Sequence, residues 1–477
     1  MSEALWSPQA MAAAMKAEIA GAPPTEVRGL SIDSRTLNPG DAFFAIRGES
    51  RDGHEFVPAA LARGAALVVA STDKRNALPA GAPLLLVEDV LAGLVALARA
   101  ARARTQARIV AVTGSVGKTG TKEALRLALE RVGPTHASAA SYNNHWGVPL
   151  SLARMPAAAA YGVFEIGMNH AGEITPLARL VRPHVAVVTT IEPVHLEYFG
   201  TLEAIADAKA EIFLGLEPGG AAVLNRDNGQ FERLAVAARA AGARIVSFGM
   251  DPQADASLVA VSLDPESSTV RARIFGQEIA YRLGAPGRHL VVNSLAVLAA
   301  AALAGADLGE AALALADFRP PGGRGARLTL RFPEGEALLI DESYNANPAS
   351  MRAALALLGQ ARVGPRGRRI AVLGDMLELG GDGPRLHAEL ADAITANQID
   401  LVFCSGRLMR FLWDAIPRER RGGHAADAAS LEPQVLAAVR AGDAVMIKGS
   451  LGSRMGPIVK ALANRYTAAG MLNSAPV

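Results

Sequence analysis

Short hydrophobic runs alternate with longer stretches of helical periodicity over most of this sequence. Between residues 108 and 315 the hydrophobic runs are "RIVAV", "YGVFEIG", "VAVVTT", "AAVLN" and "RIVSFG". Strands that alternate with helices in this way form a mainly parallel sheet with helices on both of its faces. The pattern therefore predicts a doubly wound α/β domain in the middle of the chain.

The same alternation resumes after a segment rich in proline and glycine. This segment, "FRPPGGRGAR", covers residues 318–327 and indicates a linker. Beyond it, "ALLIDES", "RRIAVLGDM", "LVFCSG" and "DAVMIKGS" each precede a helical pattern, which predicts a second, smaller unit of Rossmann type. Near the N-terminus, "DAFFAI" and "AALVVA" indicate a mixed α/β segment with its own strands. We therefore predict three domains, at residues 1–84, 85–318 and 319–477.

Composition and charge narrow the possible partners. The 477 residues are 50% hydrophobic and 20% charged, and the net charge is +2, which gives no broad electrostatic case for nucleic-acid binding. Cys404 is the only cysteine, so an internal disulfide is excluded, which agrees with a reducing compartment.

The N-terminus and the longest apolar run bear on whether the chain is secreted or spans a membrane. The N-terminus lacks a basic start followed by an apolar core, so we predict no signal peptide. The longest apolar run, at residues 289–305, contains Asn293 and Ser294, and we interpret it as a buried helix rather than a membrane span. We expect a cytoplasmic protein.

The stretch "AVTGSVGKTGTKEAL", residues 111–125, places a glycine loop between a strand and a helix. The glycines let the backbone approach phosphate oxygens, and the free N–H groups of a helix N-terminus favour an anion. Lys118 can reach terminal phosphates and the Thr119 hydroxyl can bind Mg²⁺. The common pattern has a glycine five positions before Gly117, where this chain has Val112, so this is the shortened form G-x-x-G-K-T. A turn without a ligand is the simpler alternative. The predicted phosphate-binding residues are Thr113, Gly114, Ser115, Val116, Gly117, Lys118 and Thr119.

Three more residues are candidates for chemistry. Glu165 ends a predicted strand near the glycine loop, where a carboxylate can ligate Mg²⁺. His195 follows the strand "VAVVTT", and Lys209 lies on the helical stretch "ADAKAEIF". Each is a weak signal alone, because a lone histidine is usually structural and a lysine between acids is usually a surface ion pair. Lysine is rare in this chain, however, and a lysine retained where arginine is the usual cation invites a chemical reason.

Polar residues also follow two strands of the C-terminal unit. In "DESYNANPASM", residues 341–351, Asp341 can accept hydrogen bonds from ribose hydroxyls, and Tyr344 and Asn345 can flank a base. A strand-to-helix connector with a capping Ser or Asn is the alternative. Lys448 ends the strand "AVMI" and has the simpler interpretation of a strand-end lysine.

Together these motifs resemble a known family. The chain is similar to Mur ligases through "TGSVGKT", "YNNHWGVP", "EIGMNHAGEI", "VHLEYFG", "AKAEIF", "DESYNANPASM" and "LGDMLELG", which occur in the family's order. Mur ligases are ATP-dependent amide-forming enzymes of peptidoglycan precursor synthesis. The resemblance covers all three predicted domains and implies a mixed α/β N-terminal domain that binds UDP, a central P-loop parallel-sheet domain and a Rossmann-like C-terminal domain.

The resemblance implies a reaction in which ATP phosphorylates a substrate carboxylate and an amine then attacks the acyl phosphate. Lys118 would hold the ATP phosphates, Thr119 and Glu165 would hold one Mg²⁺, and His195 would ligate a second Mg²⁺. Lys209 matches a lysine that family members carbamylate. A carbamate is an anion that can help to hold the second ion, and arginine cannot form one because it stays protonated.

Further nucleotide contacts are implied by position in the motifs. They are Asn144 near the γ-phosphate and metal, Asn293 at the adenine, Arg324 at the phosphates after domain closure, Asp341 at the ribose, and Tyr344 and Asn345 beside the adenine. Arg327 is the alternative to Arg324, because both lie in the linker.

The substrates are implied as well. "YNANP" and "GDMLELG" most resemble the family member that adds D-Ala-D-Ala to a UDP-MurNAc-tripeptide, so these are the expected substrates, and we expect a monomer. Lys448 would lie near the incoming dipeptide or the acyl oxygen. Small donors and arginines in residues 31–56 suit uridine and a diphosphate, although alone this is only a polar loop. The candidates there are Ser31, Asp33, Ser34, Arg35, Arg47, Gly48, Asp52 and His54.

Other functions stay open at this point. A different Mur-type ligase would add another amino acid or act on folate. A P-loop NTPase that switches or drives motion is a different class, but it does not need a separate domain for UDP or for adenine. A non-catalytic nucleotide-binding scaffold does not need Glu165, His195 and Lys209.

Overall fold

In the computed structural model, which describes residues 4–48, 50–139 and 141–466, the chain forms three β-sheets. Each sheet is built from a separate part of the chain, which confirms the predicted α/β class. The ends of the first and third predicted domains, residues 1–3 and 467–477, lie outside the described residues. The domain boundaries near 84 and 318 stay predictions.

The first sheet has the strand order β1-β5-β4-β3-β2, in which β1 is antiparallel to β5 and the other pairs are parallel. Its strands are β1 (Glu18–Ala20), β2 (Gly29–Ser31), β3 (Asp41–Phe44), β4 (Leu67–Ser71) and β5 (Leu84–Val87), with helices α1 (Pro8–Met15) and α2 (Val57–Ala62). Helix α3 (Val90–Ala103) leads to the next sheet. Side chains join the two units: Trp6 Nε1 donates to Ala153 O at 2.9 Å and Arg154 Nε donates to Leu30 O at 2.7 Å.

The second sheet has nine strands in the order β14-β13-β12-β11-β10-β9-β6-β8-β7. Its strands are β6 (Arg108–Thr113), β7 (Thr135–Ala137), β8 (Tyr161–Glu165), β9 (Val185–Val188), β10 (Ala221–Asn225), β11 (Arg244–Gly249), β12 (Ala256–Leu263), β13 (Ser268–Ile274) and β14 (Gln277–Leu283). Its helices are α4 (Lys118–Glu130), α5 (Gly147–Ala153), α6 (Ile174–Val181), α7 (Leu196–Phe199), α8 (Leu202–Ala210), α9 (Phe231–Ala240), α10 (Arg288–Leu303) and α11 (Leu308–Ala314).

The centre of this sheet is buried on both faces. Ile109 and Ala111 of β6 pack into one hydrophobic cluster, and Val110 and Val112 pack into another on the opposite face. Helices on both sides therefore explain why the run "RIVAV" is continuously hydrophobic rather than alternating. Strands β12 to β14 depart from the parallel pattern, because β13 is antiparallel to both of its neighbours.

Helix α10 is the buried helix predicted from the longest apolar run. Its side chains from Ser294 to Ala301 are all buried against the central sheet and α4. Among the described residues, no helix is both long enough and apolar enough to cross a membrane.

The third sheet has the order β15-β16-β20-β17-β18-β19, and only β15 is antiparallel to its neighbour. Its strands are β15 (Ala326–Phe332), β16 (Gly335–Glu342), β17 (Arg369–Gly374), β18 (Leu401–Ser405), β19 (Arg421–Ala425) and β20 (Ala444–Lys448). Its helices are α12 (Pro348–Gln360), α13 (Gly383–Ala388), α14 (Leu390–Ala396), α15 (Met409–Ala415), α16 (Ala428–Ala438) and α17 (Gly456–Tyr466). Cys404 lies buried in β18, and burial raises its thiol pKa to about 12, so it is an inert core residue.

Candidate active site

The glycine loop connects β6 to α4, which begins at Lys118. Gly114 and Gly117 have φ values of +141° and +88°, and a Cβ on Gly114 would collide with Thr189 Oγ1. Lys118 Nζ donates to Gly114 O at 2.7 Å, which keeps the ammonium over the loop. Burial lowers the pKa of Lys118, although the charge of Glu165 opposes this effect. Strand, loop and helix thus form a cradle suited to phosphate.

The end of β9 braces the same loop from the side. Thr189 donates from its N–H to Thr113 O at 3.0 Å and from its hydroxyl to Val116 O at 2.5 Å. Ser115 N–H donates to Thr190 O at 2.8 Å. These bonds hold the loop backbone against the end of β9.

Glu165 and Thr119 meet beside the cradle. Glu165, at the end of β8, is fully buried, and its Oε2 accepts from Thr119 Oγ1 at 2.8 Å. Its other oxygen accepts from Asn143 Nδ2 at 2.7 Å. A hydroxyl and a carboxylate are the oxygen donors that Mg²⁺ takes, with water and phosphate completing its shell. Among the described residues, no group of three Asp, Glu, His or Cys side chains is arranged to hold a metal ion.

The structure places Asn143, rather than Asn144, against this carboxylate. Asn144 Oδ1 instead accepts from the N–H groups of Trp146 at 3.2 Å and Gly147 at 2.9 Å, at the start of α5. Sequence reasoning missed Asn143. The adjacent pair "NN" was the available signal, but the pattern does not tell which member faces the end of β8.

His195 and Lys209 lie near the cradle on the segments that follow β9. His195 sits just before α7, and its pKa is lowered by burial and by Lys209 and Lys118, against the opposing carboxylate of Glu378. Lys209, on α8, is 2% exposed, and burial together with the charge of Lys118 holds its pKa well below 10.5. Among the described residues its amine makes no hydrogen bond or ion pair. The weak sequence signals at 165, 195 and 209 therefore converge on one region.

A first cavity of 260 Å³ lies between the central and C-terminal units. The central unit contributes the glycine loop, Glu165 and His195, and the C-terminal unit contributes Tyr344, Asn345 and Lys448. Lys448 ends β20 and is 2% exposed. Its Nζ donates to Glu342 Oε2 at 3.1 Å and to Asn345 O at 3.0 Å. Two sheets thus present their carboxyl-terminal strand ends to one cavity, as open α/β sheets do at ligand sites.

Arg324 enters this cavity from the linker. Its Nη2 donates to Ser141 Oγ at 3.1 Å, and its guanidinium lies 4.4 Å from the centre of the Tyr344 ring. Arg327 lies instead in a different cavity, beside Glu266 and Glu336. Of the two candidate arginines, Arg324 and Arg327, Arg324 is therefore the one that can reach the cradle.

A second cavity of 520 Å³ adjoins the cradle on its other side. Asn293 and His289 of α10 line it together with Met250 and Asn228, and residues of α12 close it. Asn293 Nδ2 packs so closely on Gly117 that a Cβ there would lie 2.6 Å from it. Its lining combines apolar side chains, such as Val292 and Leu357, with polar ones, as expected for a site that binds a flat base.

Asp341 is not among the described residues that line the first or the second cavity. Its carboxylate accepts from Gly323 N at 2.8 Å and from Ser343 Oγ at 2.6 Å. It therefore holds the linker against β16, and its predicted contact with ribose stays a prediction.

The N-terminal candidates form two turns. In the first, Asp33 accepts from the Arg35 N–H at 2.9 Å and pairs with its guanidinium at 2.8 Å, and Ser31 Oγ donates to Asp33 O at 3.0 Å. The side-chain bond to Arg35 is the main reason why the pKa of Asp33 is lowered, against the effect of burial. Ser34 lies within the same turn.

In the second turn Asp52 lies beside a histidine and two cations. It lies 2.6 Å from His54 Nδ1, 3.2 Å from Lys74 Nζ and 3.5 Å from Arg47 Nη2. Burial raises the pKa of Asp52, but the hydrogen bonds from His54 and Lys74 outweigh it and lower the pKa overall. Because His54 Nε2 accepts from Ser71 N at 2.9 Å, its Nδ1 carries the proton. Both His54 nitrogens are used inside the fold.

Gly48 of this turn faces the central unit. A Cβ there would lie 3.2 Å from the Trp146 ring. The turn thus lies at the joint between the first two units, against the segment that also carries Asn143 and Asn144.

The fold and cavities define a P-loop nucleotide-binding protein of three α/β units. Comparison with known families extends this class. Three family models match consecutive parts of the chain. They are "Mur ligase family, catalytic domain" at residues 26–104, "Mur ligase middle domain" at 112–301 and "Mur ligase, glutamate ligase domain" at 327–451.

Curated relatives match along almost the whole chain. The UDP-N-acetylmuramoyl-tripeptide–D-alanyl-D-alanine ligase of Rickettsia prowazekii is 31% identical over 456 residues, 95% of this chain and 99% of the relative. The Escherichia coli enzyme of that name is 34% identical, covering 95% and 97%, and the Bacillus subtilis enzyme is 33% identical, covering 92% and 93%.

Solved structures agree with these relatives. MurF from Acinetobacter baumannii has a TM-score of 0.81 at 29% identity, covering 96% of this chain and 98% of that one. MurF from Thermotoga maritima in complex with ADP has a TM-score of 0.75 at 25% identity, covering 94% and 99%. The chain belongs to the Mur ligase family. It is an ATP-dependent carbon–nitrogen ligase of peptidoglycan synthesis that uses Mg²⁺.

Proposed function

We propose that this protein joins D-Ala-D-Ala to UDP-MurNAc-tripeptide, with conversion of ATP to ADP and phosphate, and so makes the UDP-MurNAc-pentapeptide precursor. The observation that carries the proposal is identity of 31% to 34% with three ligases of that name over more than nine-tenths of each chain. The cavity between the central and C-terminal units, lined by the cradle and by Lys448, supports a reaction that brings ATP and two further substrates together.

The first step joins two anions. A substrate carboxylate attacks the γ-phosphorus of ATP, the bond to the β,γ-bridging oxygen breaks, and ADP leaves. Lys118, the N–H groups of α4 and Arg324 supply positive charge where negative charge gathers, which is the main demand of phosphoryl transfer. Thr119 and Glu165 would hold Mg²⁺, which would supply further positive charge to the reacting phosphate.

The second step forms the amide. The free amine of D-Ala-D-Ala attacks the acyl phosphate, and the tetrahedral intermediate expels phosphate. Lys448 supports this step as a buried cation that can hold the acyl oxygen or the dipeptide carboxylate. Arg324, whose guanidinium lies 4.4 Å from the centre of the Tyr344 ring, would limit the access of water to the acyl phosphate, which water would otherwise hydrolyse.

We propose that Lys209 is carbamylated and that His195 and this carbamate help to hold a second Mg²⁺. Carbamylation needs a neutral amine, and burial of Lys209 favours its neutral form. Replacing Lys209 by Ala should abolish activity, and short carboxylic acids should restore part of it by supplying the missing anion. Activity of Lys209→Arg equal to that of the wild type would contradict this proposal.

We further propose that UDP binds to the N-terminal domain, residues 1–84, at the two turns. The side chains of Arg35 and Arg47 are 86% and 67% exposed, so both can meet a diphosphate. Adenine would bind near Asn293, ribose near Asp341, and Tyr344 and Asn345 would flank the nucleotide. The central and C-terminal domains, 85–318 and 319–477, complete the enzyme. A monomeric state and a cytoplasmic location stay predictions.

Phosphate release tests the proposed substrates. The protein is given ATP and Mg²⁺ with UDP-MurNAc-tripeptide, and D-Ala-D-Ala is either added or omitted. Phosphate should appear only with both substrates. Release with neither would favour a motor or switch, and release with a single amino acid in place of the dipeptide would favour another Mur-type ligase.

A further inference from the structure

The segment "DMLELG", residues 375–380, has no part in the steps described above, although it belongs to one of the most specific motifs of the chain. It follows β17 in the C-terminal unit. We call it the 375–380 loop. Its tip carries Glu378. The side chain of this residue is 45% exposed, and its backbone φ is +62°.

The C-terminal unit fixes the base of this loop by three contacts. Met376 N–H donates to His387 Nε2 at 2.9 Å, and Leu377 N–H donates to Ser450 Oγ at 3.0 Å. Asp375 Oδ1 accepts from the first N–H of α15, that of Met409, at 2.8 Å. Because Ser450 follows Lys448 by two residues, the loop is coupled to the strand end that lines the first cavity.

The tip of the loop touches the central unit. The carboxylate of Glu378 makes a short hydrogen bond with His195 Nδ1, and Glu378 O accepts from Glu197 N at 3.3 Å. His195 has φ of +54°, so two non-glycine residues in the left-handed region meet across the boundary between the units. Such conformations are uncommon and concentrate at functional sites.

This bond determines which nitrogen of His195 is free. With a carboxylate on Nδ1, the proton of the neutral ring resides there, and Nε2 keeps its lone pair for the cavity that His195 lines. A carboxylate behind a histidine also fixes the orientation of the ring. The two residues lie 183 positions apart in the chain, so the bond exists only when the C-terminal unit lies against the central unit.

We propose that Glu378 is a positioning residue, which orients His195 and fixes its tautomer when the C-terminal unit closes. The movement that closes the C-terminal unit on the central unit then also orients His195 in the site. The inference rests on the proposed function only for its kinetic test, since the bond itself can be observed without turnover.

The kinetic test compares Glu378→Ala and Glu378→Gln with the wild type. The Ala variant removes the acceptor and should lower kcat about 10- to 100-fold, with a much smaller change in KM for ATP. The Gln variant keeps an oxygen acceptor and should retain more of kcat than the Ala variant. Glu419→Ala, at an exposed acid of the same unit outside the site, is the matched control and should match the wild type. Equal kcat for wild type and Glu378→Ala would overturn the proposal.

The second test needs no turnover. Nitrogen-15 NMR of the histidine rings, with the His195 signal assigned by substitution, reports the tautomer in the presence of ADP and Mg²⁺. The proposal expects Nδ1–H in the wild type and in Glu378→Gln, and a mixture of tautomers in Glu378→Ala. The same tautomer in all three would overturn it. If the wild type fails to ligate the proposed substrates but shows this NMR pattern, the proposed function falls and the positioning role stands.

Discussion

Glu165 is a fully buried carboxylate with a hydroxyl donor on one oxygen and an amide donor on the other. Removing its charge should therefore weaken the site without unfolding the protein. We expect Glu165→Gln to lower kcat/KM for ATP more than 100-fold, about 3 kcal/mol or more of transition-state stabilisation. Steady-state kinetics over a range of Mg²⁺ concentrations measure this loss, and a wild-type value would show that Glu165 has no part in binding the metal.

Asn143 and Asn144 offer a matched pair at adjacent positions. Asn143→Ala removes a donor to Glu165 and should lower kcat/KM for ATP about 10- to 100-fold. Asn144→Ala removes two backbone contacts at the start of α5 and should cost about 1 kcal/mol of stability, with little kinetic effect. Kinetics and thermal unfolding of both variants check this assignment, and the reverse outcome would restore the prediction made from sequence.

The buried amine of Lys209 should make the stability of the fold depend on pH. The unfolded chain binds the proton of this amine at about 10.5, and the folded chain binds it only at lower pH. Between these values unfolding takes up a proton, so the wild type loses stability as the pH falls below 10.5. In buffer without carbon dioxide, Lys209→Met should therefore gain in Tm relative to the wild type from about pH 10 to about pH 8. If the difference in Tm between Lys209→Met and the wild type were constant across that range, the pKa of Lys209 would not be lowered in the folded protein.

At the residue scale, the sequence predicts which candidate side chains lie together where the ends of adjacent strands determine their positions. The loop at 113–119 and Glu165 follow adjacent parallel strands, β6 and β8, whose carboxyl ends must lie together. Asn143 was missed because neighbouring positions on a loop carry no periodicity. The bond between His195 and Glu378 could not be predicted, since it depends on how two units dock.

At the level of elements, the glycine loop has no room for an added side chain at Gly114. Gly114→Ala places a Cβ against Thr189 at a φ of +141°, and we expect it to abolish nucleotide binding measured by calorimetry. Gly229→Ala is the control in the same unit, because a Cβ there meets nothing within 4 Å. Unchanged ADP affinity in Gly114→Ala would contradict the cradle.

Several strands of the structure were not predicted from the pattern of hydrophobic residues. Strands β12, β13 and β14 turn the predicted parallel sheet into a mixed one. Their alternating sequences, "STVRARI" and "QEIAYRL", joined by "FG", carry a hairpin signal that could have been read. Residues 421–425, which form β19, are polar and glycine-rich and gave no such signal.

At the scale of the whole molecule, the first cavity exists because the C-terminal unit lies against the central one. Arg324 reaches this cavity and donates to Ser141, whereas Arg327 lines a different cavity beside Glu266. Arg324→Ala should therefore lower kcat about 100-fold or more, as loss of a phosphate-contacting arginine does, and Arg327→Ala should stay near the wild type. Parallel kinetics of the two variants decide between these positions, and equal losses would contradict the assignment.

Three units around one nucleotide also predict closure. Small-angle scattering should show a smaller radius of gyration with an ATP analogue and UDP-MurNAc-tripeptide than without them. Identical scattering curves would mean that the contacts of Arg324 and Glu378 do not depend on substrate.

In the proposed reaction the protein forms an acyl phosphate on its tripeptide substrate before the amide is made. The most direct measurement uses UDP-MurNAc-tripeptide whose peptide carboxylates carry oxygen-18, together with ATP, Mg²⁺ and D-Ala-D-Ala, and analyses both products by mass spectrometry. We predict the pentapeptide and one oxygen-18 atom in each released phosphate, since the carboxylate oxygen that attacks ATP leaves with the phosphate. Unlabelled phosphate, or phosphate release without pentapeptide, would contradict the account.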